Sequence, residues 1–509
     1  MNPFYGLRLR QRGLLYRKPE VSILLSESEP VERKSGLRRE KKIIPSRTAI
    51  FLIRWQWLPM LLSAPLIALP SPWPLIPLCV VPTVLLAIWM AGGKPIIRTP
   101  LNIPILVIAI MILISIWATY DLKISIGYIA GAVLGLGAFF TITRYSLTIK
   151  GWWICFFFYS VMNIGMAVVV SLMVKFPQKI GFLNPVTSHF NSPFFVLSIL
   201  SVSPHPNNIP YFLLGIVPLL IVFSVSTLIN RRRVVTIIGP KRTFVLMVIL
   251  MGLTLVSGFV LLLSQSRSAY FSFAVTCLFL LWAVITPRLR WLLLGSTVVC
   301  TIVIVVLWQR GFLATIQEVF GRTYSENPAL SLDTLQGRVE IWSRAIDGIQ
   351  DFSFTGMGMN TFEHVWPTLY PRFGVGSDVV ILNAHNTYLQ AALDLGIPGL
   401  IAFLGVQFGT FWMLLKIWRI ICRRQDSHHI RNGFPLLIRS GFLIKAIVLG
   451  LGGGMLAYLV FGLTESVGLG GYMLIWSMIG LINGLYRQVK PTYQDRELIT
   501  VQEIALQRG

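Results

Sequence analysis

The sequence predicts an all-α membrane protein with about twelve transmembrane helices. Three observations predict it. Apolar runs of roughly 18–24 residues recur along the chain, each long enough to cross about 30 Å of hydrocarbon at about 1.5 Å per residue. The chain is 55% hydrophobic and only 13% charged, against about 25% charged in an ordinary soluble domain. Its charges gather between the apolar runs, and the basic ones favour alternate loops, which is the positive-inside bias of an inserted chain.

The runs fall at 50–69, 72–91, 102–119, 125–142, 152–174, 209–229, 243–263, 269–286, 291–308, 396–416, 441–463 and 468–486. With the N-terminus in the cytoplasm and sides alternating, about 34 of the 44 Lys and Arg lie inside, about 9 lie outside, and Arg54 sits in or beside the first run. About 11 acidic residues fall outside, so the outer face is near neutral. Both termini are therefore expected in the cytoplasm. The net charge of +24 reports insertion and contact with anionic inner-leaflet lipid, and does not point to nucleic acid. A cleaved signal peptide does not fit, because the first run begins near Ala49 and others follow to the C-terminal end. Of the five cysteines, Cys79, Cys155, Cys277 and Cys300 lie in apolar runs and Cys422 on the inner side. No CxxC occurs, so neither a disulfide framework nor a zinc site is indicated.

In chain order, residues 1–48 form a basic cytoplasmic tail carrying Arg38-Arg39 and Lys41-Lys42, which reads as a topology-setting segment. Residues 49–308 hold the first nine spans. An inner loop holds Arg231-Arg232-Arg233, and an outer loop at 175–208 ends in Pro204-His205-Pro206-Asn207-Asn208. Residues 309–395 form a large outer loop, and loops of this length are usually functional or disordered. This one carries Trp342, Phe352, Phe354, Phe362, Trp366, Tyr370 and Phe373, enough aromatic area for a small core. Within it Val339, Trp342, Ile346 and Ile349 recur at helical spacing and predict an amphipathic helix over Gly337–Gln350. His385–Leu395 predicts a second short helix leading into the tenth span, broken by Gly396, Pro398 and Gly399. Residues 396–486 hold the last three spans, with an inner loop of Arg423-Arg424 and His428-His429, and 487–509 form a cytoplasmic tail. Gly452-Gly453-Gly454 in the eleventh span suits close helix packing.

Three groups of residues suggest chemistry. Ser264-Gln265-Ser266-Arg267-Ser268 lies at the outer end of the seventh span, in a turn too short to leave the membrane surface. A guanidinium there runs against the charge bias and calls for an anionic partner, either a ligand or an acid such as Glu465. Arg338 opens the predicted helix of the large loop with Arg344 six residues on, and taken alone such residues read as solvated helix charges. His385, set among Asn383, Asn386, Thr387 and Tyr388 at the outer mouth of a helix bundle, is a candidate for proton transfer.

The run His385-Asn386-Thr387-Tyr388-Leu389-Gln390 followed by Asp394-Leu395-Gly396-Ile397-Pro398-Gly399-Leu400 resembles the signature of the O-antigen ligase and O-antigen polymerase superfamily. Gly337-Arg338-Val339-Glu340-Ile341-Trp342, Thr355-Gly356-Met357-Gly358-Met359-Asn360 and the Ser266-Arg267-Ser268 turn resemble the same family. The resemblance spans roughly residues 200–485 and is specific in the large loop. Asp394 stands where the family often has Glu, and the basic N-terminal tail is extra. The resemblance implies a GT-C-like glycosyltransferase of the bacterial inner membrane with a periplasmic active site. It implies a donor glycan on undecaprenyl diphosphate, a lipid or glycan acceptor such as lipid A-core, and inversion at the anomeric carbon without metal or cofactor.

The residues suit that chemistry on their own terms. A leaving diphosphate needs cations where charge develops, and arginine's fork matches phosphate oxygens. Arg267 and Arg338 are expected in that role, His385 as the base or as the group that positions the acceptor, and Asn386 and Tyr388 with the two arginines in substrate binding. No paired carboxylate or His/Cys/Asp cluster outside supports a metal. Ligase-type transfer is the leading expectation and polymerase of the same superfamily the second. Two rival functions are an inorganic-carbon transporter, which should hold its site near the bilayer midplane, and a structural subunit of a polysaccharide export machine.

Overall fold

A computed structural model describes residues 47–68, 71–177, 183–191, 207–309, 335–370, 383–425, 441–466 and 473–490. Most of the basic N-terminal tail, the Pro204-His205-Pro206 turn, parts of the large loop (310–334 and 371–382), His428-His429 and the segment after 490 lie outside the described residues.

The described secondary structure is helical, without strands. The helices are α1 (Arg47–Trp55), α2 (Trp57–Ser63), which runs on into a 3-10 turn at Ala64–Ala68, α3 (Leu75–Met90), α4 (Asn102–Ala118), α5 (Leu122–Tyr145), α6 (Ile149–Met173), α7 (Asn184–Phe190), α8 (Asn208–Ile229), α9 (Arg231–Ile238), α10 (Pro240–Leu263), α11 (Arg267–Val284), α12 (Pro287–Gln309), α13 (Leu335–Asp351), α14 (Phe362–Leu369), α15 (Thr387–Gln425), α16 (Gly441–Phe461) and α17 (Met473–Val489). Each of the twelve apolar runs falls mainly on helix. Eight of the described helical segments are long and apolar enough to cross a membrane, and α3 and α4 are shorter apolar helices. The protein is an all-α polytopic membrane protein, for which we propose twelve crossings on the hydropathy of the sequence.

Two helix pairs form the centre of the bundle. α16 lies against α8, where a side chain on Gly453 would meet Pro218 and one on Gly454 would meet the Gly215 carbonyl. The glycine run thus brings two backbones together, as its composition predicts. α17 is buried along nearly its whole length and packs on α5: Gly480 faces Ile142, Gly484 faces Ser146, and Asn483 Nδ2 donates to Thr143 Oγ1 (3.2 Å). Around this centre α10 turns Phe244, Val245, Val248 and Ile249 outward. Such an apolar outer face is costly in water and suits hydrocarbon.

The large loop builds its own small core from Ile341, Ala345, Met357, Phe362, Trp366, Ala384 and Leu393. α13 covers the predicted Gly337–Gln350 helix with a margin of one or two residues. The Thr355–Asn360 segment is clamped onto the start of α15. Met357 N donates to the Leu393 carbonyl (2.7 Å) and Ile397 N to the Ser353 carbonyl (2.7 Å). Gly396 adopts φ 68° at the kink of α15 and lies against the Phe354 carbonyl, a backbone position that leaves no room for a side chain. Asp394 is buried and accepts from Asn360 N (3.0 Å) and from Gln390 Nε2 (2.8 Å), while Gln390 Oε1 accepts from Ala384 N (3.0 Å). The two sequence motifs of the loop therefore brace each other and fix the turn that carries His385.

Candidate active site

Five helix ends meet at one carboxylate. Glu465 follows the C-terminal end of α16, with its side chain 8% exposed. Arg338, in the first turns of α13, reaches it with Nη2 on Oε1 at 2.9 Å, and Arg338 Nη1 donates to the Thr464 carbonyl. Asn207, just before α8, donates from Nδ2 to the same Oε1 at 2.9 Å. Ser268, in the first turn of α11, donates to it at 3.4 Å. His385, just before α15, sets Nδ1 3.4 Å from Oε2. Four of these five ends are helix N-termini, whose free N–H groups and dipoles favour an anion.

Local bonds hold each group in place. His385 has φ 44°, a left-handed conformation, and its N–H donates to Asn383 Oδ1 at 2.9 Å. Asn386 caps α15, its Oδ1 accepting from the N–H groups of Tyr388 (2.9 Å) and Leu389 (3.1 Å). Its own N–H donates to Ser466 Oγ (2.7 Å), and Thr387 Oγ1 donates to the Glu465 carbonyl (2.8 Å). The α15 entrance and the α16 exit are thus laced together. Burial alone would raise the Glu465 carboxyl, but the His385 hydrogen bond and the Arg338 guanidinium outweigh it and hold the group below its ordinary value. Glu465 is an anion at neutral pH. His385 turns Nδ1 to that anion, which makes Nε2 the ring nitrogen not held by Glu465.

The structure brings together two of the three residues expected to act. Arg338 and His385 share Glu465. Arg267 adjoins Ser268 in the chain, but its guanidinium is exposed and bonds to no described residue. Glu465, named from the sequence as a partner for Arg267, pairs with Arg338 instead. Asn386 spends its side chain on the cap. The Tyr388 hydroxyl donates to the Leu459 carbonyl (2.9 Å) and faces a small cavity with Tyr211, Gln407 and Tyr458. Among the described residues no group of three or more His, Cys, Asp or Glu is placed to hold a metal ion.

Sequence reasoning missed the central place of Glu465. The signal was present: an acid ending an apolar span is rare and usually partnered. Arg344 needs a correction. Its expected role as a solvated charge is wrong: the side chain is fully buried, pairs with Glu340 at 3.0 Å, and lies 4.7 Å over the Trp366 ring. Its place on the core-facing side of α13, with Ile341 and Ala345, accounts for this. Replacing Arg344 by alanine should therefore cost about 2 kcal/mol of stability through lost packing and cation–π contact. A thermal melt that matches wild type would contradict that placement.

No curated protein matches the sequence. A family model described as O-antigen ligase matches residues 252–404. That segment contains Arg267, Arg338, His385, Asn386 and Tyr388, while Asn207 and Glu465 lie beyond it. On this match the segment 252–404, less than half of the chain, is similar to the O-antigen ligase family.

Proposed function

We propose that the protein is an O-antigen ligase-type glycosyltransferase that moves a glycan from undecaprenyl diphosphate to an acceptor hydroxyl at the periplasmic face of the bacterial inner membrane. The observation that carries this reading is the meeting of Arg338 and His385 on Glu465, amid four helix N-termini, in a chain whose segment 252–404 matches the O-antigen ligase family.

The acceptor oxygen attacks the anomeric carbon as the bond to the diphosphate oxygen breaks, with inversion. Nε2 of His385 takes the hydroxyl proton, and Glu465 steadies the imidazolium that results. Negative charge grows on the departing diphosphate. Arg267, whose guanidinium is exposed, and Arg338, at the mouth of α13, stabilise it without a metal. Asn386 fixes the α15 entrance that carries His385, and Tyr388 ties that entrance to α16 through the Leu459 carbonyl. The donor reaches this mouth sideways from the bilayer.

Transfer from a defined undecaprenyl diphosphate glycan to lipid A-core tests the reading. Activity should persist in chelator, and a strict need for Mg²⁺ or Mn²⁺ would overturn the arginine mechanism. Deleting the gene distinguishes the two transfer types. Loss of a ligase leaves long chains stranded on undecaprenyl diphosphate. Loss of a polymerase leaves single repeat units on the final acceptor, and that result would replace the ligase reading.

The sidedness is tested separately. A topology reporter inserted at Ser331 should behave as periplasmic, and reporters at both termini as cytoplasmic. A cytoplasmic signal at Ser331 would place the site on the wrong face for a flipped donor.

A further inference from the structure

A second group of cations lies at the far ends of the helices that lead to the site. α8 starts at the carboxylate cluster and ends at Ile229, so its 22 residues carry the chain about 33 Å away at 1.5 Å per residue. α10 returns over the same distance to the turn before Arg267. Between them, Arg231, Arg232 and Arg233 open α9, and after a turn at Gly239 (φ 86°) Lys241 and Arg242 open α10. All five side chains are exposed, and none bonds to a described residue. No Asp or Glu occurs between residues 122 and 317, so none of the helices α5 to α12 carries a counter-charge.

The apolar surroundings indicate the partner. Leu228 and Ile229, the last residues of α8, are 56% and 72% exposed, and Ile237 on α9 is 64% exposed. Val234 is buried and holds α9 against the bundle. Leu228, Ile229 and Asn230 join the three arginines in lining an open cavity of about 500 Å³. Such a surface is half guanidinium and half aliphatic, and it sits where two apolar spans end. A soluble anion would have no use for the aliphatic half. A phospholipid uses both, with phosphate on the arginines and the first acyl methylenes on the leucine and isoleucines.

We propose that α9 and the first turn of α10 bind the headgroup of an anionic phospholipid, and that a lipid with two phosphates, of the cardiolipin type, is preferred over one with a single phosphate. Three adjacent arginines and a following Lys-Arg pair exceed what one phosphodiester needs and match a doubly charged headgroup. The site lies about a membrane's width from the glycan-transfer site and does not depend on that function.

Native mass spectrometry of the full chain in detergent tests this, with cardiolipin, phosphatidylglycerol or ATP added. Wild type should retain cardiolipin at least tenfold more tightly than phosphatidylglycerol, and excess ATP should not displace it. The triple variant R231Q/R232Q/R233Q should lose at least tenfold in affinity with glycan transfer in detergent unchanged. Because the arginine triplet also helps set orientation in the membrane, K241Q/R242Q provides a variant that leaves it intact and should lose about threefold. Cardiolipin retention equal to wild type in K241Q/R242Q, or in a folded triple variant, would overturn the site. Displacement of cardiolipin by ATP would overturn the lipid assignment in favour of a soluble anion.

Discussion

Replacing His385 by alanine should lower glycan transfer by about 10²–10⁴-fold, the usual effect of losing a general base, while membrane insertion and melting stay close to wild type. The side chain is 24% exposed and its ring contact is the one to Glu465, so its removal opens no core cavity. Glu465→Gln is the companion variant. It keeps the shape but weakens the anchor that fixes Nδ1, and should cost about 10² in rate. The carboxylate also gives a stability signature. Its folded value lies below the ordinary 4.5, so its contribution is fully present above that pH and is lost as pH falls through the depressed folded value. The stability difference between wild type and Glu465→Gln should therefore hold steady through the neutral range and shrink below about pH 4.5. His385→Ala protein that transfers glycan at the normal rate would remove the histidine from the mechanism.

The sequence exposed the architecture and only part of the site, for physical reasons. A lipid-facing helix declares itself by length and apolarity, because the bilayer leaves no other solution for the backbone. Hence all twelve runs fall mainly on helix, and the kink at Gly396 follows from the Gly, Pro and Gly that surround it. The spacing of Val339, Trp342, Ile346 and Ile349 made α13 legible as a helix but gave the wrong face: Val339 and Ile346 are exposed, and Ile341, Arg344 and Ala345 face the core. The same spacing misled about Arg344: the charge suggested water, but its stem and guanidinium complete the face that covers Trp366. Glu465 was harder. It stands 80 residues from His385 and 127 from Arg338, and nothing local marks it as their shared partner. Asn207 follows a Pro-rich stretch of sequence, and its role emerges only when α8 is placed beside α16. Local periodicity reports that a segment is helical; it does not report which helix ends meet.

Arg338 and Arg267 should behave differently under the same substitution, although both are proposed to stabilise the leaving diphosphate. Each alanine variant should lose about 10²–10³ in transfer rate, the cost of removing one preorganised charge. Arg338→Ala should also lower stability by about 3 kcal/mol, because it leaves a largely buried Glu465 without its strongest cation. Arg267→Ala should not, since that guanidinium is exposed and bonds to no described residue. A second difference follows from charge. In Arg338→Ala the unbalanced carboxylate faces the incoming diphosphate, so KM for the donor should rise as well as kcat fall. Adding Glu465→Gln to Arg338→Ala removes that repulsion and should recover part of the donor affinity, so the two substitutions will not add. Thermal melts and a double-mutant cycle on KM would read both effects. If the double variant bound donor no better than Arg338→Ala, Glu465 would be a structural partner of α13 with no electrostatic bearing on the donor. If Arg267→Ala melted early while Arg338→Ala did not, the assignment of which arginine anchors the fold and which waits for the diphosphate would be reversed.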